Sequence, residues 1–331
     1  MTAMTVGRQV EQFQQNFRVV RDEVSRIIVG NEDNIVGIMT CLLSRGHVLL
    51  EGIPGIGKTK LVQALADVLH LKFSRIQFTP DLMPADIVGT NIVQEHAHQG
   101  GTFFEFQPGP IFANVVLADE INRATPKTQS ALLEAMQEHS VSVGKTTYKL
   151  EQPFLVLATQ NPLEMEGTYP LPEAQLDRFF FKLKVLYPLE AAMHQIIERT
   201  THTMATEVAR VMDGAEILEM RQMVRSVPIA KPVQGYAIRL TMGSHPESPY
   251  ASPLVKRYVR YGASPRAAQA LVLAGKIHAL TRGNAFVSVD DIRAVAMPAL
   301  RHRLLMNFEG EAEQVDVDTI VNELLSTVAT E

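Results

Sequence analysis

The sequence predicts an α/β protein, with a parallel sheet flanked by helices and then a smaller, all-helical domain. Short apolar runs alternate with segments of helical periodicity over the first 187 residues, the pattern of strand and crossover-helix units. A glycine-rich loop separates one apolar run from the helix that follows it. Beyond Pro188 strand patterns nearly vanish. We therefore expect two domains, 1–187 and 188–331.

Length and composition support this division. A chain of 331 residues is long for a single core. Its composition is 46% hydrophobic and 20% charged, as in a globular protein, and its net charge of −5 argues against a nucleic-acid partner. The single cysteine, Cys41, lies in an apolar stretch and is expected to be a buried thiol. No segment resembles a membrane helix or a signal peptide, so we expect a cytoplasmic protein.

The elements follow from periodicity, taken in chain order. Residues 8–29 are expected to form a helix with five apolar side chains on one face: Val10, Phe13, Phe17, Val20 and Val24. A second helix is expected over 33–44 and a third from Lys58. Strands are expected at 47–50, 72–77, 114–120, 154–159 and 179–183, with a helix over 126–138. Two hairpins are expected, at 91–106 and 141–150, each around a glycine-containing loop.

The loop between the first strand and its helix has the form G-x-x-x-x-G-K-[ST]. Its glycines allow the backbone N–H groups to surround a phosphate, and the helix that begins at Lys58 adds its positive end. Lys58 would contact the β- and γ-phosphates, and the Thr59 hydroxyl would bind Mg²⁺. The candidate nucleotide-binding residues are Gly52, Ile53, Pro54, Gly55, Ile56, Gly57, Lys58, Thr59, Lys60 and Asp119.

Acidic and amide side chains follow two later strands. Asp119 and Glu120 end an apolar run that we expect to lie beside the strand preceding the glycine loop. Asp119 would hold Mg²⁺ through water, and Glu120 would activate a water for attack on the γ-phosphate. Asn161, after the next strand, would orient that water. A solvated turn is the alternative for the acids, and a turn residue before Pro162 is the alternative for Asn161.

Two arginines complete the candidate set. Arg178 precedes the last strand; it either pairs with Asp177 on the surface or reaches a phosphate held by a neighbouring subunit. Arg266 lies in the first turn of a helix that Ser264 caps, where its charge opposes the helix dipole, a local conflict that indicates a functional role. His96 and His98, two residues apart, could indicate a metal, but an exposed loop is the simpler interpretation.

Taken together, these motifs resemble the MoxR family of AAA+ ATPases over nearly the whole chain, from about residue 29 to 305. The resemblance rests on ordered segments: 52–59, 118–124 (ADEINRA), 132–136 (LLEAM), 158–162 (ATQNP), 171–179 (LPEAQLDRF) and 262–267 (GASPRA). It implies that Lys58 and Thr59 are the Walker A pair and that Asp119 and Glu120 are the Walker B pair. Asn161 is similar to sensor 1, Arg178 to the arginine finger and Arg266 to sensor 2.

The resemblance also implies a biological role. Members of the family are thought to act as chaperone-like, Mg²⁺-dependent ATPases in hexameric rings, often with a partner that carries a von Willebrand factor A domain. Four features remain open. Residues 1–28 match no motif, and residues 241–253 form an additional loop. Arg123 contacts either nucleotide across an interface or an acidic side chain, and Arg266 acts either within its own subunit or across the interface. Three rival functions stay open: a DNA-remodelling motor, for which Lys145 and Lys149 are candidates; a metal-chelatase motor subunit; and a non-catalytic scaffold.

Overall fold

The computed structural model describes residues 3–95, 102–161, 167–201 and 208–330. The first part contains helices α1 (Ala3–Ser25), α2 (Glu32–Ser44), α3 (Lys58–Val68), α4 (Pro84–Val88), α5 (Pro126–Glu138) and α6 (Glu173–Leu176). Its strands are β1 (Val48–Glu51), β2 (Phe73–Gln77), β3 (Gly89–Glu95), β4 (Thr102–Pro108), β5 (Val115–Asp119), β6 (Ser140–Val143), β7 (Thr146–Lys149), β8 (Leu155–Gln160) and β9 (Phe181–Lys184).

Five of these strands form one parallel sheet in the order β2-β5-β8-β1-β9. The predicted fold class is therefore confirmed. The expectation that the strand of Asp119 lies beside β1 is wrong, because β8 lies between β5 and β1. Apolar periodicity identifies a buried strand, but the crossover connections decide which strands become neighbours.

Helices cover both faces of the sheet, since alternate strand residues enter two hydrophobic clusters. Val48, Leu50 and Leu157 belong to a cluster with α1, α2 and α3. Leu49 and Val156 belong to a second cluster, which includes residues of α4 and α5. The central strands are buried on both sides, as expected for a parallel sheet.

Both predicted hairpins are present. Strands β3 and β4 pair antiparallel, as do β6 and β7. The hairpins touch through Phe106 and Tyr148, whose stacked rings have centroids 4.0 Å apart, whereas Phe104 on the same strand is 76% exposed. His96 and His98 lie outside the described residues.

Helix α1 begins and ends a few residues earlier than expected, but its buried face comprises the five predicted side chains. It packs on α2, α3 and a helix of the second part. Because this apolar face is already covered, the N-terminal segment is part of the core, although no sequence motif indicated a role for it.

The second part is mainly helical. Its helices are α7 (Glu190–Thr201), α8 (Gly214–Ser226), α9 (Lys231–Gly243), α10 (Pro253–Tyr258), α11 (Pro265–Thr281), α12 (Val289–Leu300), α13 (Phe308–Ala312) and α14 (Val317–Thr327). It is not wholly helical as predicted, because β10 (Val259–Tyr261) pairs with β11 (Leu305–Met306). The expected loop at 241–253 is shorter, since α9 continues to Gly243. Apolar residues of this second part belong to the same hydrophobic cluster as α1, α2 and α3.

Candidate active site

The loop Gly52–Gly57 leaves β1 at the carboxyl edge of the sheet and leads directly into α3. Gly55 and Gly57 have φ of +82° and +90°, the left-handed region that favours glycine. At Gly52 a Cβ would lie 2.7 Å from the carbonyl oxygen of Val185, so a larger residue would collide with backbone. The Gly52 N–H donates to the carbonyl of Gln160, at the end of β8 (3.3 Å), which fixes the loop against the sheet.

Lys58 opens α3 and points back over this loop. Its Nζ donates to the carbonyl oxygens of Gly52 (2.5 Å) and Ile53 (3.1 Å). Partial burial lowers the pKa of Lys58 below its ordinary value, while the nearby charges of Asp119 and Glu120 raise it. The ammonium group therefore stands at the point where a phosphate would replace two carbonyl acceptors.

Asp119, the last residue of β5, is held by side chains from both adjacent strands. Its Oδ2 accepts from Arg75 Nη2 (2.6 Å) on β2, and its Oδ1 accepts from Thr159 Oγ1 (2.6 Å) on β8. Asp119 is buried, so these charge-assisted bonds compensate for lost hydration. These two bonds fix the orientation of the carboxylate.

Glu120 takes a left-handed backbone conformation, with φ 56° and ψ 51°, which is uncommon for a residue other than glycine. Its N–H donates to Thr159 Oγ1 (2.8 Å). Its Oε2 accepts from Gln77 Nε2 and from Arg123 Nη1, both at 3.0 Å. Of the two possibilities for Arg123, the structure shows the pair with an acid.

These groups surround one cleft of about 380 Å³. Its lining residues are Pro54, Gly55, Gly57, Lys58, Thr59, Lys60, Arg75, Asp119, Glu120 and Asn161. Gly52, Ile53 and Ile56 belong to the same loop but do not line the cleft. The structure thus brings together the glycine loop, both acids and Asn161, as their positions at strand ends predict.

Thr59 and Asp119 suit the predicted Mg²⁺. They offer a hydroxyl and a carboxylate to the same cleft, and Mg²⁺ prefers such oxygen ligands while keeping several waters. Because both Asp119 oxygens already accept hydrogen bonds, contact through a water fits better than a direct bond.

Arg178 and Arg266 do not line this cleft. They line a second one, of about 260 Å³, together with Arg45, Asp177 and Arg303. Arg178 is half-buried and donates to the carbonyl of Leu133 (3.2 Å), while Arg266 is exposed. The surface pair of Arg178 with Asp177, which was the alternative expectation, is not what the structure shows. Asp177 instead bonds to Arg303 and lies near Arg266.

The second cleft lies at the amino edge of the sheet. Phe180, just before β9, donates to the carbonyl of His47, just before β1 (2.8 Å). Between His47 and Gly52 the chain runs the length of β1, about 16 Å at 3.3 Å per residue. Arg178 and Arg266 are therefore separated from the glycine loop of their own chain by the length of strand β1.

Sequence reasoning missed several residues of the first cleft. Arg75 and Gln77 project from β2 beside the acids, and Thr159 joins both acids from β8. Polar residues at the ends of predicted strands were the available signal, but choosing among them requires the strand order.

Comparison with known proteins identifies the family to which this chain is similar. Residues 47–181 match the model of the ATPase family associated with various cellular activities, and residues 251–324 match an AAA lid domain. The chain is 43% identical to Chaperone MoxR1 of Mycobacterium tuberculosis, over 93% of this chain and 80% of that protein. It is 41% identical to the uncharacterized YeaC of Bacillus subtilis, over 93% and 92%. A provisionally assigned ATPase of Cytophaga hutchinsonii superposes with a TM-score of 0.91, 38% identity and 98% coverage of each chain.

The fold and the first cleft define an ATPase of the AAA class. The chain belongs to the MoxR family within that class, as the resemblance in its motifs predicted. Within the described ranges, none of the helices is long and apolar enough to cross a membrane.

Proposed function

We propose that this protein hydrolyses ATP at sites shared between neighbouring subunits of a hexameric ring, and uses the energy to remodel a partner protein. The observation that carries the proposal is the separation of the two clefts. The glycine loop and the acids lie at the carboxyl edge of the sheet, whereas Arg178 and Arg266 line the opposite edge. Arg178 directly precedes β9 of that sheet, so one chain cannot bring it to its own glycine loop without refolding the sheet.

Within one site, the roles follow from position. The loop amides and Lys58 bind the triphosphate, since Lys58 exchanges its two carbonyl acceptors for phosphate oxygens. Thr59 and, through water, Asp119 would hold Mg²⁺, which supplies neutralisation of phosphate charge. Glu120 takes a proton from the attacking water, which Asn161 orients. In this structure Gln77 and Arg123 donate to Glu120 Oε2, so the carboxylate must release these partners if that oxygen is to take the proton.

The neighbouring subunit completes the site. Its Arg178 and Arg266 approach the γ-phosphate and stabilise the charge that develops in the transition state. An arginine supplied in this way contributes about 10³ to 10⁵ in rate in other phosphate hydrolases. A head-to-tail contact of this kind closes into a ring when the rotation between subunits permits it.

The partner is proposed from relatives. One is named a chaperone, and the MoxR resemblance adds a client or partner with a von Willebrand factor A domain. The cytoplasm is the proposed compartment, since the reaction consumes ATP. The paired hairpins, with Phe104 exposed, are the surface we assign to the partner.

The test is ATP turnover per subunit at increasing protein concentration, for the wild type and Arg178→Ala. We expect wild-type turnover to rise as subunits assemble. The variant should bind ATP equally well but stay at least about 10³-fold slower at every concentration. Constant turnover across a range in which the protein is monomeric, with Arg178→Ala unaffected, would show a self-contained site and refute the proposal.

A further inference from the structure

Asp177 and Arg303 form a partly buried contact that none of the assigned roles uses. The Arg303 side chain is only 3% exposed. It follows α12, and its Nε donates to Asp177 Oδ1 at 2.8 Å. Its other nitrogens donate to the carbonyls of Phe179 (2.7 Å) and Phe180 (3.1 Å), and to that of Ala299. A guanidinium of the second part thus holds the short segment that carries Arg178 through bonds to Asp177, Phe179 and Phe180.

The second oxygen of Asp177 reaches the helix that carries Arg266. Asp177 Oδ2 accepts from Ser264 Oγ (2.7 Å), and Arg266 Nη1 lies 3.6 Å away. Ser264 is the N-cap of α11, and its oxygen also accepts from the Arg266 N–H. One carboxylate therefore connects the residue directly before Arg178 with the first turn of α11.

The chemistry of this contact suits a role in fixing orientation better than a role in stabilising the fold. Removing a charged pair from water costs several kcal/mol per ion, and well-packed apolar side chains usually stabilise a joint equally well. What a planar guanidinium and a carboxylate add is a fixed relative orientation, because each bond has a defined direction. Here the elements so oriented bear Arg178 and Arg266.

We propose that Asp177 and Arg303 are positioning residues, which hold Arg178 and Arg266 in one fixed arrangement so that both reach the neighbouring subunit's phosphates together. This inference rests on the shared-site function proposed above. It predicts that damage to the contact impairs the site of the adjacent subunit and leaves the subunit's own nucleotide cleft intact.

Mixed assemblies test this directly. Glu120→Gln subunits lack the proposed base but keep intact arginines, and Arg178→Ala subunits have the opposite defect. If sites are shared, mixing the two restores turnover. Asp177→Asn should behave as Arg178→Ala does: at least about tenfold slower alone, with an unchanged KM for ATP, restored by Glu120→Gln and not restored by Arg178→Ala.

A milder variant covers the case in which Asp177→Asn fails to fold. Ser264→Gly removes only the hydroxyl that bonds to Asp177, and glycine is a tolerated N-cap. We expect a smaller loss of turnover with the same complementation pattern. The matched control is Ser252→Gly. Ser252 is likewise an N-cap whose Oγ bonds to a carboxylate, Glu323 Oε2 (2.5 Å), and it is more deeply buried than Ser264. The loss of its hydroxyl should leave turnover unchanged.

The outcomes separate the two proposals. If Arg178→Ala and Glu120→Gln do not complement each other, the shared site itself is refuted. If they do, but folded Asp177→Asn or Ser264→Gly is fully active, the positioning role is refuted. It is equally refuted if either variant is complemented by Arg178→Ala, or is not rescued by Glu120→Gln. An Asp177→Glu variant that regains part of the lost turnover would support the role of the carboxylate.

Discussion

Replacing Thr159 by valine should disable both acids of the nucleotide cleft at once. The Thr159 side chain is buried, with 1% exposure. Its hydroxyl donates to Asp119 Oδ1 (2.6 Å) and accepts from the Glu120 N–H (2.8 Å). Valine has nearly the same shape but can do neither, so the change removes the hydrogen bonds with little loss of packing.

The magnitude follows from these two bonds. A hydrogen bond to a charged group is worth about 1.5–3 kcal/mol, and a buried donor left without a partner costs about 1–3 kcal/mol. Glu120 is partly exposed, so water can replace some of its loss, and the lower ends apply. We expect the free energy of unfolding to fall by about 2.5 kcal/mol. Turnover should fall by about tenfold or more, since 1.4 kcal/mol of transition-state stabilisation corresponds to a factor of ten.

The assay is urea unfolding combined with ATP turnover, with Thr40→Val as the matched control. Thr40 is also buried, and its hydroxyl donates only to the Val36 carbonyl four residues earlier in α2. That carbonyl keeps its helical hydrogen bond, so Thr40→Val should cost well under about 1 kcal/mol and leave turnover intact. Equal destabilisation of both variants, or full activity of Thr159→Val, would refute the reasoning.

Three further experiments test groups described above. Gln77→Ala removes one of the two donors to Glu120 Oε2. It should raise basal turnover several-fold, because the activation free energy falls by about 1 kcal/mol or less when the carboxylate has one partner fewer to release. A fall in steady-state turnover would contradict this. Burial raises the pKa of the Cys41 thiol well above its usual value, so a thiol reagent should modify Cys41 only at the rate of unfolding, and rapid native labelling would contradict its burial. Burial lowers the pKa of His47 from its usual 6.5 to about 4. The unfolded chain therefore binds more protons in that interval, and stability should fall as pH decreases from 6.5 to 4, by about 3 kcal/mol. Urea unfolding at several pH values should show a shallower dependence for His47→Gln, and an identical dependence would contradict the assignment.

The sequence allowed prediction of features that local chemistry determines. Helix α5 begins and ends at the predicted residues, Pro126 and Glu138, because proline suits the first helical position. The cleft residues were found because parallel strands present their carboxyl ends together.

Features that depend on distant contacts could not be predicted in this way. The position of β8 between β5 and β1 depends on the crossovers, and so do the roles of Arg75, Gln77 and Thr159. Asp177 finds its principal partner 126 residues later in the chain, at Arg303. Neighbouring residues offered Arg178 as the obvious partner, and no periodicity marks the correct one.

The contact between the two hairpins has a mechanical consequence. Phe106 in β4 and Tyr148 in β7 stack at 4.0 Å, with an interplanar angle of 17°, and Phe112 meets both rings edge-on. The β3–β4 hairpin is joined to β2 through α4, and the β6–β7 hairpin leads into β8, so each is tied to a strand that ends at the nucleotide cleft. Because these rings couple the hairpins, a displacement of either strand would be expected to move both hairpins together.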